Sequence, residues 1–358
     1  MAAGLLGAAL LVAAGLLDAE PLYVPATGLL LLALAMGAWT RTAAQGATVS
    51  RELDATRVLE GAPLTGRVVA RAGATPFPGG EVREALLDQP VGVPGGGRVL
   101  RFRFAVRFAR RGLREPPAPE LIVRDPLGVS ERRVVAAAGT APARVLVLPR
   151  TEPVEAGEAG GELFGAGGRR TLTGAAETEL DGLREYRPGT PATRIHWAAL
   201  ARRGRLFERH LHAEADARPL VALDARGPAG AEALDAAVRA AASLCLALAR
   251  AGGCSALLPG DRRAAELDPG LAAWPDLHAR LALVQAGPAP VLAMAGTRTG
   301  PILYVAARGA RPRGLERPPA GSLLVVPRVL PGAPAAFTVA GCHAYALTGR
   351  PARRAVAG

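Results

Sequence analysis

The sequence predicts an α/β protein preceded by a small antiparallel β domain, a β-sandwich, and by an N-terminal transmembrane helical hairpin. Three observations predict it. Two long uncharged stretches open the chain, and short alternating runs broken by Gly and Pro follow them. From Pro219 onward, apolar strand-like runs alternate with Ala/Leu-rich helical stretches.

The first element is the hairpin. Met1 to Leu17 and Leu22 to Thr40 carry no charged side chain, and Asp18-Ala19-Glu20-Pro21 lies between them. At about 1.5 Å per residue, each stretch reaches roughly 26 to 29 Å, close to the thickness of a bilayer's hydrocarbon core. The connecting turn is acidic, whereas Arg41, Arg51 and Arg57 follow the second stretch. Basic flanks stay on the cytoplasmic side, so the soluble chain is expected to be cytoplasmic and the protein a multi-pass membrane protein. A cleaved signal peptide fits less well, because the first stretch lacks a basic leader and a second apolar run follows it directly.

The β domain is expected over residues 41–149. In Arg101-Phe102-Arg103-Phe104-Ala105-Val106-Arg107-Phe108, apolar and basic residues alternate with period two, as a strand with one buried face requires. Gly66 to Arg71, Glu120 to Arg124 and Arg144 to Leu148 read as further strands. Asp125-Pro126-Leu127-Gly128 reads as a turn closing the last strand of the sandwich, with proline preset for the bend and glycine free to adopt positive φ.

Residues 150–217 are expected to link the domains, beginning with a Gly- and Glu-rich loop over 155–168. The α/β domain, 218–358, starts with a strand over Pro219 to Leu223 that ends at Asp224. Helices are expected over Ala231–Ala251 and Leu271–Val284. Strands are expected at Cys254–Leu258, Ile302–Ala306, Leu323–Val326 and Ala336–Val339. This alternation predicts a mainly parallel sheet covered by helices.

Composition bounds the function. The chain has 358 residues, a formal charge of +12 and 50% apolar residues, which excludes a mostly disordered chain. It contains neither Lys nor Asn, so every basic residue is Arg, and these are scattered. Without a basic stripe interleaved with aromatics, nucleic-acid binding is disfavoured. Cys245, Cys254 and Cys342 have no ligand spacing and read as small buried hydrophobes in a reducing compartment.

The most informative segment runs from Leu183 to Leu206. It holds Arg184, Glu185, Tyr186, Arg187, Pro188, Gly189, Arg194, His196, Trp197 and Arg202, rigidified by Pro188 and Pro191. A Pro-Gly turn followed by a short helix would present Arg187, Arg194 and Arg202 in one direction. Guanidinium forks bind carboxylates and phosphates bidentately. The same arginines would equally pair with Glu177, Glu179, Asp181 and Glu185 and clamp the segment to its own fold. His196 with Glu185 or Asp181 would form an acid–base pair for a hydrolase, yet the segment holds no Ser or Cys nucleophile.

The order Arg-Glu-Tyr-Arg-Pro-Gly, a spacer, Arg-Ile-His-Trp, then Ala-Arg and Gly-Arg-Leu ahead of a strand ending in Asp resembles the family called domain of unknown function 58. The Asp125–Gly128 turn and the paired apolar N-terminal stretches are similar too. The resemblance implies a bacterial membrane protein with a β-sandwich and a von Willebrand factor A-like domain. It also implies a MoxR-type AAA+ ATPase as partner, with no established enzymatic activity and a role in assembling or maturing other proteins.

Two departures bear on chemistry. Thr190 and Ala198 stand where family members tend to carry an acid and a lysine. A von Willebrand A domain binds Mg²⁺ through Asp-x-Ser-x-Ser, whereas this chain reads Asp224-Ala225-Arg226-Gly227-Pro228. That site is degenerate, so no metal and no cofactor are expected. The expected function is a membrane-anchored, non-enzymatic adaptor.

Overall fold

The computed structural model describes residues 2–135, 143–157, 183–185, 207–209, 218–292, 300–308 and 318–347. The protein is mixed α and β, in two compact units. One comprises Met1–Ala109 and Leu113–Val147, and the other Arg110–Gly112 and Leu148–Gly358.

The first unit begins with two apolar helices, α1 (Ala2–Leu16) and α2 (Tyr23–Ala44), joined through Asp18 at positive φ and a 3-10 turn over Glu20–Leu22. They run antiparallel. A side chain at Gly7 would press on Ala26, Leu29 and Leu30, and one at Gly4 would meet Ala33, so small residues let the helices approach. The expected pair of spans is corrected in one respect. Among the described residues a single helical stretch, Glu20–Ala44, is long and apolar enough to cross a membrane, whereas the 15 residues of α1 reach only about 22 Å.

Ten strands follow in this unit: β1 (Thr48–Leu53), β2 (Arg57–Leu59), β3 (Pro63–Arg71), β4 (Gly80–Arg83), β5 (Val91–Val93), β6 (Val99–Arg107), β7 (Gly112–Arg114), β8 (Glu120–Arg124), β9 (Glu131–Val135) and β10 (Val145–Leu148). They form sheets in the orders β1-β3-β6, β5-β4-β8-β9 and β2-β10-β7. The first two sheets share one core. Val49, Val68 and Phe104 come from one, Val82, Leu121 and Val123 from the other, and Ala43 of α2 joins them. The alternation in β6 serves this packing, since Phe102, Phe104 and Val106 all touch the core while Arg101, Arg103 and Arg107 are exposed. Arg51, read in the sequence as a flanking positive charge, is buried and bound to Glu84 at 2.6 Å and to the carbonyls of Pro116 and Pro117.

The Asp125–Gly128 turn is a second correction: it joins β8 to a further strand, β9, so β8 is not the last strand of the sheet. Asp125 accepts hydrogen bonds from the backbone of Leu127 and Ser130, and Gly128 takes φ +69°. This is the local turn chemistry that Asp and Gly favour.

In the second unit, β11 (Glu155–Ala156) opens the sheet, and β12 (Leu183–Glu185) pairs with β13 (Phe207–Arg209) separately. Then come β14 (Leu220–Asp224), α3 (Ala231–Ala251), β15 (Cys254–Leu257), β16 (Ala265–Leu267), α4 (Trp274–Leu283), β17 (Ile302–Ala306), β18 (Leu323–Val326), β19 (Phe337–Val339) and β20 (Cys342–Ala346). The eight-stranded order is β11-β19-β20-β18-β17-β14-β15-β16. Only the contacts among β18, β17, β14 and β15 are parallel, and the strands on either side pair antiparallel. The expected mainly parallel sheet therefore has a parallel centre with antiparallel margins. The expected loop at 155–168 begins instead with the edge strand β11, its remainder from 158 lying outside the described residues.

Alternate residues of the central strands separate into two cores. Val221, Leu223, Leu303, Val305 and Val325 pack with α3 and α4, whereas Leu220, Ala222, Ile302, Tyr304 and Val326 pack on the other face. Along α3, Leu234, Val238, Ala241, Leu244, Cys245 and Leu248 recur at helical spacing and are all buried. The helix ends at Gly252 and at Gly253, whose φ of +104° turns the chain toward β15.

Candidate functional site

Of the motif residues singled out in the sequence, Arg184 and Glu185 lie on β12, in register with Glu208 and Phe207 of β13. Tyr186, Arg187, Pro188, Gly189, Arg194, His196, Trp197 and Arg202 lie outside the described residues, as does Asp181. The site that can be built from described side chains is at Asp224.

Asp224 ends β14, the strand flanked by parallel neighbours on both sides. From β14 the chain passes through α3 to β15 on one side, while β17 and β18 lie on the other. The carboxyl ends of β14 and β17 thus flank the point where strand order reverses, the place where open α/β sheets present their ligand crevices.

Asp224 is 2% exposed, yet its carboxylate is fully engaged. Arg226 donates from Nε to both oxygens at 3.0 Å and from Nη2 to Oδ2 at 2.7 Å, while its backbone N–H reaches Oδ1 at 3.0 Å. The Tyr304 hydroxyl donates to Oδ2 at 2.6 Å, and Arg226 Nη2 also reaches the Tyr304 oxygen at 3.3 Å. Burial alone would raise the Asp224 pKa, but the donors on Arg226 and Tyr304 outweigh it and hold the carboxyl below its ordinary value. Arg226 is held more firmly protonated by its bond to Asp224. Burial, followed by the bond to Asp224, raises the Tyr304 phenol and keeps it a donor.

This set does not suit a divalent cation. Mg²⁺ demands several oxygen ligands in octahedral array, and here the Asp224 carboxylate already faces a guanidinium. Neither Ala225 nor Arg226 offers a hydroxyl. Among the described residues, no three His, Cys, Asp or Glu side chains gather as a metal cluster.

The surroundings add positive charge. Arg308, exposed two residues beyond β17, lies over Gly227, where an added Cβ would come 3.3 Å from its Nη1. The Gly287 N–H binds the Ala225 carbonyl at 3.3 Å and ties the segment after α4 to the same loop.

Other reactive side chains are committed to packing. His278 is buried, stacks on Trp274 with ring centroids 4.6 Å apart, and bonds the Pro149 carbonyl through Nε2 at 2.7 Å. The three cysteines are buried free thiols.

The sequence shows Arg226 only as a departure from the Asp-x-Ser-x-Ser pattern, and no motif in it singles out Tyr304. The available signal was a hydroxyl in the apolar run Ile302–Ala306, because a buried tyrosine needs a hydrogen-bond partner. Neither a protein-family model nor a curated protein matches the chain.

Proposed function

We propose that this chain is a membrane-anchored, non-enzymatic adaptor of the domain of unknown function 58 type, working with a MoxR-type AAA+ ATPase in assembly or maturation of other proteins. In this reading α2 crosses the membrane with its carboxyl end cytoplasmic, and α1 packs against it. The sheets β1-β3-β6 and β5-β4-β8-β9 of the first unit form a β-sandwich, and the second unit is von Willebrand factor A-like.

The observation that carries the reading is the Asp224–Arg226 pair. An acidic strand end at the centre of a parallel sheet, followed by a long helix, is the place where a von Willebrand A domain holds its ion. Here an arginine supplies the positive charge internally, and the carboxylate has no oxygen left for activating water or a metal. A carboxylate spent in this way on holding its own strand end supports a non-catalytic reading of that position. The resemblance in residues 183–206 supports the partner class.

The test is crosslinking in native membranes followed by affinity purification of the full chain. Recovery of a MoxR-type ATPase, reduced by Arg194→Ala without loss of the chain itself, is expected. Turnover of a small molecule by the purified chain, dependent on His196, would overturn the adaptor reading.

A further inference from the structure

We propose that the turn between β8 and β9 is a lipid-docking element, with Leu127 at its apex entering the acyl boundary and Arg41 and Arg132 meeting lipid phosphates. The inference rests on the reading that α2 crosses the membrane.

Its basis is the way α2 joins the first unit. Thr40, near the end of α2, is fully buried and shares a 2.8 Å hydrogen bond with the Ser130 side chain. Further along the helix, Ala43 and Ala44 pack in the core that also receives Val134 of β9 and Leu121 of β8. Moving along the β8–β9 hairpin from Val134 to Ser130 therefore follows α2 back from Ala43–Ala44 to Thr40. The hairpin points its tip toward the apolar length of the helix, and Pro126-Leu127 lies beyond Ser130 at that tip.

Chemistry at the tip fits a bilayer interface. Leu127 is 64% exposed although its neighbour Asp125 is buried and holds the backbone of the turn. An exposed leucine on a turn fixed in this way costs little ordering when it leaves water for lipid. Trp39, 41% exposed and adjacent to Thr40, marks the same level with the side chain most favoured at membrane interfaces. The exposed Arg132 follows Ser130 by two residues at the start of β9, and the exposed Arg41 follows Thr40 on α2, so each lies within two residues of the Thr40–Ser130 hydrogen bond. Two guanidinium groups under an apolar tip suit phosphate headgroups around a shallowly buried leucine.

The experiment uses the full chain in phosphatidylcholine–phosphatidylglycerol vesicles. The native cysteines are buried, so single Leu127→Cys, Leu34→Cys and Ala55→Cys variants can each carry one environment-sensitive fluorophore. Lipids spin-labelled near the top of the acyl chain serve as quenchers. The expected result is blue-shifted, quenched emission at 127, quenching at 34 within α2, and unquenched emission at 55. Quenching at 34 with water-like, unquenched emission at 127 overturns the docking turn while leaving the span intact. Unquenched emission at 34 overturns the spanning reading and the docking turn with it.

Discussion

Tyr304 and Asp224 sit on the same face of adjacent parallel strands, Tyr304 in register with Ala222, and the phenol donates to the carboxylate at 2.6 Å. With Arg226 on its other side, Asp224 becomes a buried anion neutralised entirely from within. Removing the cation leaves that anion exposed to a low dielectric. Arg226→Ala is therefore expected to lower stability by about 2 to 3 kcal/mol, less than for a fully buried pair because water can reach a side chain that is 28% exposed. Urea unfolding in detergent measures the loss. In the same assay Mg²⁺ is expected to leave the wild-type midpoint unchanged. A Mg²⁺-dependent rise abolished by Asp224→Ala would show that the carboxylate serves a metal after all.

The same pair sets an acid dependence. The folded chain holds the Asp224 carboxyl below its ordinary pKa, so at acidic pH the unfolded chain binds the proton more readily. Stability from this group is complete above about pH 4, where the unfolded carboxyl is ionised, and is lost as pH falls through the lower folded value. The stability gap between wild type and Asp224→Asn is expected to narrow in acid. A gap that stays constant on acidification would mean that the carboxyl is not held as its donors indicate.

Local patterns made much of the fold legible. The span of α3 follows from its apolar spacing and the Gly252-Gly253 stop, and β14, β17 and β18 follow from short apolar runs, as strands buried on both faces require. The margins of the sheet were not legible. Ala265–Leu267 is three residues long, and Cys342–Ala346 mixes His and Tyr into its pattern, so neither carries a clear period. At the site, the strand end at Asp224 could be read from sequence. Its bond to Tyr304, 80 residues away, depends on which strands become neighbours.

Arg111 illustrates the same limit and carries its own prediction. It belongs to the second unit, where its buried guanidinium donates to the carbonyls of Leu281, Ala282 and Val284 at 3.1, 3.0 and 2.8 Å. These carbonyls lie at the end of α4, where helical acceptors run short of donors, and Leu281 also accepts from the Val284 N–H at 3.3 Å. Nε also pairs with Asp235 of α3 at 3.0 Å. Arg111→Ala is expected to cost about 3 kcal/mol and to speed hydrogen exchange across 274–284. Arg111→Lys rescues little, because one ammonium cannot reproduce the fork. Unchanged exchange in α4 would refute the capping role.

The thiols give a third chemical readout. Burial pushes the Cys342 thiol up to about 12, and the bond with Cys254, followed by burial, raises Cys245. The reactive thiolate is correspondingly scarce at neutral pH. Maleimide is expected to label the native chain at least about a hundredfold more slowly than the unfolded chain. Three labels are expected after denaturation. Rapid labelling of any one cysteine in the native chain would show that its core opens.

His278 closes the set with a dependence nearer neutrality. Burial lowers its pKa, and the bond to the Pro149 carbonyl only partly opposes this. The neutral ring, with its proton on Nε2, satisfies that carbonyl while its face lies on Trp274 at an interplanar angle of 24°. Protonation would place a charge in a site whose described contacts are a carbonyl and an indole. The unfolded chain binds this proton more tightly than the folded one, so stability is complete above about pH 6.5 and falls as pH drops toward the lower folded value. Unfolding midpoints measured from about pH 8 to pH 5 are expected to decline for the wild type. The His278→Phe variant keeps the stack but not the titration, and its decline over the same window is expected to be shallower. Parallel curves for the two proteins would assign the decline to other groups and remove His278 from the account.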